Sequence, residues 1–170
     1  MDILDVIKKR RSIRKFKRKE IPKDFIEKLK TALIWAPSAG NLESRKFFFV
    51  FDENLKKRLA LAAFSQSFIK DAPLVVVACA DRKIKFHYGE RGEELYMICD
   101  VSASIQNLLL CAEALGLGAC WVGAFDEDEV AKILNLPSNL RPIAIVPIGF
   151  PDEKPAPPPR SSKKDIIKEI

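Results

Sequence analysis

The stretch from Gly92 to Leu115 constrains the fold more than any other part of the sequence. Its 24 residues contain no Pro and no Gly after the first, and apolar side chains recur at helical spacing. A helix of this length measures about 36 Å, and its apolar residues fall on more than one face. Because 170 residues build a core of only modest size, we expect part of this helix to lie in a dimer interface.

Shorter elements surround this helix. Asp2 is expected to cap a first helix, and apolar spacing predicts further helices from Pro22 to Ala36 and at 53–64 and 126–134. Apolar runs predict strands at 46–51 (buried), 74–80, 119–123 and 142–149, the last at an edge or bulge because of Pro147. The polar residues 81–91 receive no assignment. Residues 151–159 include five Pro and predict an extended arm before a short last helix.

Helices and strands mix without a regular βαβ order, which favours an α+β fold. No linker divides the chain, so residues 1–170 are predicted to form a single domain. Polar residues inside the long helix, among them Asp100, argue against a membrane span. The N-terminus lacks an apolar signal segment. We therefore expect a cytoplasmic protein that does not engage membranes.

Composition excludes several kinds of site. His87 is the single His, which excludes a multi-histidine metal site, and the four Cys include no C-x-x-C pair. Those four cysteines lie in apolar stretches, so we expect reduced thiols packed in the core. Trp121, flanked by Cys120 and Val122, is likewise expected in the core. No catalytic triad, carboxylate pair or metal site is predicted.

Positive charge is concentrated in one segment, KKRRSIRKFKRK at 8–19, which carries nine basic residues and no acidic one. Since the net charge of the chain is +6, the remaining residues carry a net charge of −3. Three interpretations are open: a solvated loop, a nucleic-acid contact, or an anion pocket in which Arg side chains fork onto a phosphate. With Phe16 the only aromatic residue in the run and the rest of the chain acidic, nucleic-acid binding is the least favoured.

The order of residues favours the anion pocket. Residues 10–16, RRSIRKF, resemble the R-R-S-x-R-x-F opening of the FMN-dependent nitroreductase family. The family's A-P-S-x-x-N loop is matched at 36–41, and residues 100–123 resemble its D-x-x-x-A-x-Q-N-L block, which ends in G-L-G-x-x-W-x-G. Ile148-Gly149, the Pro-rich arm and Arg160 are similar to the family's C-terminus. The four blocks occur in the family's order and span nearly the whole chain.

This resemblance implies a homodimer built on a mixed, mostly antiparallel sheet flanked by helices, with the long helix in the dimer core. It also implies one FMN at each subunit interface. The family's reaction is two-electron transfer from NAD(P)H through FMN to a nitroaromatic, a quinone or a related small molecule. Some relatives instead dehalogenate or oxidise ring systems, and that alternative stays open.

The resemblance also assigns cofactor-binding residues. Arg10 and Ser12 match positions that hold the FMN phosphate and ribityl chain, with Arg160 closing on the phosphate. Arg14 matches the basic residue at the pyrimidine edge, and Lys70 is a further candidate near the flavin. The other matches are the loop residues that reach the flavin from the second subunit and the turn beside flavin N5: Pro37, Ser38, Ala39 and Asn41 for the loop, Gly123 and Ala124 for the turn.

Two departures from the family pattern affect the expected site. The loop continues as Glu43-Ser44-Arg45 where relatives usually have Gln-Pro-Trp. Residues 81–91 are also short where longer relatives carry a helical cover, which predicts a more open site or one closed by the partner subunit. Phe86 and Tyr88 are candidates for the pocket wall, and His87 for a substrate contact. Arg11, Lys15, Lys17, Arg18 and Lys19 are expected to be solvated.

Overall fold

The computed structural model describes residues 2–170. The helices are α1 Ile3–Lys9, α2 Lys23–Ile34, α3 Glu53–Ala62, α4 Phe68–Asp71, α5 Lys85–Arg91, α6 Met97–Ala114, α7 Glu127–Ile133 and α8 Lys163–Ile166. The strands are β1 Arg45–Val50, β2 Leu74–Asp81, β3 Gly118–Ala119 and β4 Leu140–Gly149. Asp2 and Asp126 cap α1 and α7 through their carboxylates, as the sequence predicts.

One four-stranded sheet, ordered β1-β2-β4-β3, forms the centre of the fold, and all its strand pairs are antiparallel. Side chains of β2 alternate between its two faces. Val76 and Ala78 join a core with α2 and α6, whereas Val75 and Val77 join a core with α3, α4 and α7. The sheet is therefore covered by helices on both faces, and the predicted α+β fold is confirmed.

Three strand predictions need correction. β1 is an edge strand and only half-buried, because its outer side has no neighbouring strand within residues 2–170. β4 lies inside the sheet rather than at an edge, and its bulge falls at Ile143, not at Pro147. Pro147 is tolerated because β3 is only two residues long, and the Pro147 carbonyl accepts a 3.2 Å bond from the Cys120 N–H. The strand predicted at 119–123 shrinks to β3 and a bridge between Val122 and Ile145.

The long helix begins earlier than predicted. Helical structure extends from Arg82 to Ala114 with a kink at Gly89, whose φ of 57° is not helical, so the unassigned residues 81–91 belong largely to it. A π-turn at Gly92–Tyr96 joins α5 to α6. By length and hydropathy this helix could cross a membrane, yet 44% of its most apolar window is buried inside the protein. A core helix of a globular domain has these properties, and α6 packs on α2 and the sheet.

Two glycines allow the basic segment to lie against the end of the sheet. A Cβ atom at Gly118 would stand 2.6 Å from Cγ1 of buried Ile13, which lies between Ser12 and Arg14. A Cβ atom at Gly149 would stand 2.6 Å from Cδ of Pro73 and 3.0 Å from the Phe16 ring. Both distances are shorter than ordinary van der Waals contact, so the segment reaches this position only because both residues are glycine.

Gly118→Ala tests this close approach. We expect it to lower the free energy of unfolding by about 1–3 kcal/mol, because the added methyl group overpacks Ile13 and β3. Gly123→Ala is the matched control, since its added Cβ would meet no atom nearer than 3.9 Å. That control should stay within about 0.5 kcal/mol of the wild type. Urea unfolding followed by circular dichroism measures both, and equal stabilities would contradict the proposed packing.

Candidate functional site

Backbone contacts fix the basic segment along one end of the sheet. The Ile13 N–H donates to the Ala119 carbonyl at 3.0 Å, and Ser12 forms a parallel bridge with Ala119. Further along, the Lys17 N–H donates to the Phe150 carbonyl at 2.9 Å. The segment is thus tied to β3 and to the end of β4, and its side chains project from an ordered backbone.

A cavity of about 350 Å³ opens beside this segment. We call it the arginine cavity, and it is lined by Arg10, Arg11, Ser12, Arg14, Pro155, Ala156, Pro158 and Arg160. Its volume falls in the range of small-molecule sites, about 300–1,000 Å³. Four guanidinium groups and a hydroxyl line it, and the described lining includes no acidic side chain. This donor set suits a phosphate.

The C-terminal arm brings Arg160 to this cavity from the opposite end of the chain. The carboxylate of Glu153 accepts the backbone N–H of Arg14 and, at 3.1 Å, that of Lys15. The Asp152 N–H donates to the Lys15 carbonyl at 2.9 Å. These bonds hold the start of the arm against the segment, and its prolines then extend along the cavity.

The thiol of Cys120 lies next to the residues of the arginine cavity. Burial raises its pKa, and a hydrogen bond with Ser12 and the charges of Arg14 and Arg10 oppose that rise. Cys120 is therefore a neutral thiol at physiological pH, and its Sγ donates to the Trp121 carbonyl at 3.8 Å. Cys79, buried in β2, behaves similarly, with desolvation raising its pKa to about 12.

A second cavity, of about 670 Å³, adjoins the first through Arg14. We call it the lysine cavity; its basic lining residues are Arg14, Lys15, Lys17, Arg18, Lys19, Lys56 and Lys70. Lys70 comes from α4, close to Phe68, whose ring centroid lies 5.8 Å from the Arg14 guanidinium carbon. The structure therefore places Arg14 and Lys70 together, as expected if both face one edge of a ligand.

The loop at 37–41 does not share the arginine cavity, whose described lining includes none of its residues. Instead it rests on the long helix. The Ala39 N–H donates to Oδ1 of Asp100 at 2.9 Å, and a Cβ atom on Gly40 would clash with the Tyr88 hydroxyl oxygen. Gly40 and Asn41 have positive φ angles, and Pro37 and Asn41 are exposed. The loop is fixed internally while presenting an open outer face.

Arg45 explains the departure from the family's Gln-Pro-Trp pattern. Its side chain is only 4% exposed, and its guanidinium donates to the carbonyls of Ile34, Ala36 and Pro37 at 2.8–3.1 Å. The Glu43 carboxylate lies 3.7 Å from the same group. Arg45 therefore satisfies carbonyls at the end of α2 and ties them to β1, which fixes the start of the loop.

Gly123 and Ala124 follow the bridge at Val122 and are both exposed. Neither donates a backbone–backbone hydrogen bond within residues 2–170. The Ala124 carbonyl accepts from Nε2 of Gln66 at 3.1 Å, which holds the turn against the end of α3. Two backbone N–H groups thus remain for a ligand at the turn that the resemblance places beside the flavin.

Several side chains differ from the sequence-based expectations. Trp121 is 37% exposed rather than buried in the core, because the chain leaves the sheet after β3. Cys99 is exposed on α6, so the prediction of four core cysteines is wrong for it. Phe86, His87 and Tyr88 lie on α5, within the segment that received no secondary-structure assignment from the sequence. Among residues 2–170, no cluster of three or more His, Cys, Asp or Glu side chains could hold a metal ion.

Asp100 is a functional candidate that sequence reasoning missed. It is 4% exposed, and its Oδ2 has no hydrogen-bond partner within the described chain, while Oδ1 holds the Ala39 N–H. The available signal was a single acidic residue in an otherwise apolar part of the long helix. Arg45 was also missed, because nothing in the sequence shows that its charge turns inward to the carbonyls of α2.

Comparisons with known proteins agree with this geometry. The nitroreductase family model matches residues 7–69 and 60–150. A Methanothermobacter thermautotrophicus protein, provisionally named an NADH dehydrogenase/NAD(P)H nitroreductase, is 33% identical over 91% of this chain and 80% of its own. Nitroreductase A of Vibrio parahaemolyticus superimposes with a TM-score of 0.92 at 28% identity, covering 99% of this chain and 76% of that one. The NADPH:FMN oxidoreductase of Vibrio harveyi, solved with NAD⁺, gives 0.91 at 26% identity, covering 98% and 76%.

Arg45→Met tests how the loop is held. We expect a loss of about 2–4 kcal/mol in the free energy of unfolding, because three carbonyls around the buried guanidinium lose their donor. Lys46→Met removes the same charge from the next residue of β1, where the side chain is exposed, and should change stability by less than about 0.5 kcal/mol. Chemical denaturation measures both, and matching losses would refute the role of Arg45.

Proposed function

The chain belongs to the nitroreductase family, and from that premise we propose that it is an FMN-dependent oxidoreductase that uses NAD(P)H to reduce small organic acceptors. The observation that carries this proposal is the arginine cavity, where Arg10, Ser12 and Arg160 converge from opposite ends of the chain. Nitroaromatics and quinones are the proposed acceptor class. The abundance of basic residues at 8–19 is thereby related to a small anion rather than to nucleic acid or a membrane.

The residues present fit FMN. Arg10 and Arg160 supply guanidinium forks for a phosphate dianion, and the Ser12 hydroxyl, next to the neutral Cys120 thiol, supplies a further donor. Rigid positioning matters because fixed donors bind a phosphate without first being ordered. The contacts of Ile13 and Lys17 with the sheet provide that rigidity.

Arg14 and Lys70 are the residues proposed for the pyrimidine edge of the flavin. Both line the lysine cavity, and Arg14 also lines the arginine cavity, so a ligand anchored by its phosphate extends past Arg14. Positive charge at this edge stabilises the negative charge that accompanies two-electron reduction. The exposed backbone N–H groups of Gly123 and Ala124 are the proposed donors toward flavin N5.

Bound FMN supplies the redox chemistry itself, so the chain needs no nucleophile, triad or metal. What the chain contributes is binding, orientation and charge. This division agrees with a site made of guanidinium groups, an ammonium group, one hydroxyl and backbone donors.

We place the flavin between two copies of the chain, in a cytoplasmic homodimer. The loop at 37–41 supports this arrangement, because it stands apart from the arginine cavity of its own chain and presents exposed Pro37 and Asn41. Two exposed apolar side chains at the end of α8, Ile166 and Ile167, support a second copy as well, since neighbouring exposed apolar groups often mark a protein–protein contact.

Flavin binding is the first test. Purified protein incubated with FMN should be yellow and should bleach with anaerobic NADH or NADPH. Arg10→Ala should weaken FMN binding roughly 10–100-fold, because it removes a charge-assisted fork on the phosphate. Lys8→Ala, an exposed residue of the same basic segment outside the described lining of the cavity, is the control and should leave the affinity unchanged.

Fluorescence-quenching titrations measure the FMN dissociation constants. Protein that stays colourless would refute the proposed function. An Arg10→Ala variant that retains wild-type affinity would refute only the assignment of that residue.

Light scattering tests the dimer. The measured mass of the wild-type protein should be that of two chains. Ile166→Ser combined with Ile167→Ser should raise the dimer dissociation constant at least about tenfold, because it removes apolar surface available to a second copy. Lys164→Ser combined with Lys168→Ser, in the same C-terminal segment, should leave the dimer dissociation constant unchanged. A wild-type protein that binds FMN as a monomer would contradict the interface site.

A further inference from the structure

The lysine cavity holds most of the positive charge that the proposed flavin site leaves unused. Seven basic and four acidic side chains line it, which leaves an excess of three positive charges in one concave region. Lys17, Arg18 and Lys19 line this cavity and not the arginine cavity. All three side chains are exposed, as the sequence predicts, but solvation alone does not explain why they line a common pocket of about 670 Å³.

The cationic wall is ordered by its backbone and by aromatic contacts. The Lys17 N–H donates to Phe150, and the Lys19 N–H donates to the Lys17 carbonyl at 2.8 Å, which turns the chain between them. The Lys19 ammonium nitrogen lies 4.3 Å from the Phe150 ring centroid. Because the backbone positions are fixed, like charges remain close together without a flexible loop to separate them.

Lys56 provides a buried ammonium group among the residues that line this cavity. It is 2% exposed, and its Nζ donates to the Ala72 carbonyl and to the Glu53 carboxylate, each at 2.7 Å. An ammonium group has three N–H donors, so one remains for a ligand. A buried, oriented cation of this kind distinguishes the cavity from a surface lysine patch.

The position of the cavity relates it to the reaction. Arg14 lines both cavities, and Lys70 joins it in this one. Because Arg14 and Lys70 are proposed to bind the pyrimidine edge of the flavin, the lysine cavity adjoins the proposed flavin site, and a dinucleotide whose nicotinamide meets the flavin also carries phosphates. Apart from Arg14, the two cavities are lined by different cations, so the cofactor's phosphate and the donor's phosphates need not share a binding group.

We propose that the lysine cavity binds phosphate groups of the nicotinamide dinucleotide donor, a proposal that rests on the proposed function. In either case the ligand group is a phosphate anion, held by Lys17, Arg18, Lys19 and the buried ammonium group of Lys56. Its two possible sources are the 2′-phosphate, present only in NADPH, and the pyrophosphate, present in both donors.

The test replaces three cations that belong to this cavity alone. The variant Lys17→Gln, Arg18→Gln, Lys19→Gln should raise KM for NADPH at least about tenfold and leave kcat and FMN affinity within about twofold. The matched control is Lys8→Gln, Lys9→Gln, Lys23→Gln, which removes the same charge from exposed residues outside the described lining of both cavities. It should change neither parameter.

Comparing the donors identifies the source. A rise in KM for NADPH alone assigns the 2′-phosphate, and an equal rise for NADH assigns the pyrophosphate. An unchanged KM for both donors overturns the proposal. A single-stranded DNA oligonucleotide that binds more tightly than either donor, and loses that binding in the triple variant, overturns it as well in favour of a nucleic-acid surface.

Calorimetric titration of 2′,5′-ADP and of ADP gives a readout that does not require turnover. Wild-type protein should bind at least one of them at least about tenfold more tightly than the triple variant does. If the protein fails to bind FMN, the proposed function fails while this titration still decides whether the cavity takes a phosphate. Equal binding of both probes to wild type and variant contradicts the site.

Discussion

The structure depends on keeping like charges together. Arg10, Arg14 and Arg160 line one cavity, and guanidinium groups so placed repel one another unless an anion lies between them. The repulsion is resisted by neutral contacts: the bridges from the basic segment to Ala119 and Pro151 at the end of the sheet. The packing of the segment on the folded core thus keeps the guanidinium groups close together, in an arrangement that can bind a phosphate.

This constraint explains features that look unrelated in the sequence. The basic segment lies directly against Gly118 and Gly149, where a side chain would not fit. Glu153 accepts the backbone N–H groups of Arg14 and Lys15, and these bonds hold the start of the arm that brings Arg160 to the cavity. On the long helix, Asp100 holds the loop at 37–41, which is not part of the described lining of the arginine cavity. In the proposed dimer, each chain contributes one arginine cavity and presents its loop at 37–41 to the second chain.

Much of the fold was predictable from the sequence because its signals are local. Helix caps at Asp2 and Asp126, the Val-rich β2 and the long apolar helix all follow from spacing and composition. Strand order was not predictable. A proline in a strand usually indicates an edge strand, and nothing in the sequence shows that the strand beside Pro147 is the two-residue β3, which leaves room for the proline inside the sheet. The convergence of Arg10 with Arg160 came from the motif pattern, whereas the inward turn of Arg45 and the orphaned Oδ2 of Asp100 are tertiary contacts without a sequence signature.

The central claim is that the arginine cavity binds the phosphate of FMN. Riboflavin has the same ring system without the phosphate, so calorimetric titration with FMN and with riboflavin tests that claim most directly. The account predicts that FMN binds at least about 100-fold more tightly, since several charge-assisted hydrogen bonds are lost without the phosphate. Equal affinities for the two flavins would contradict it.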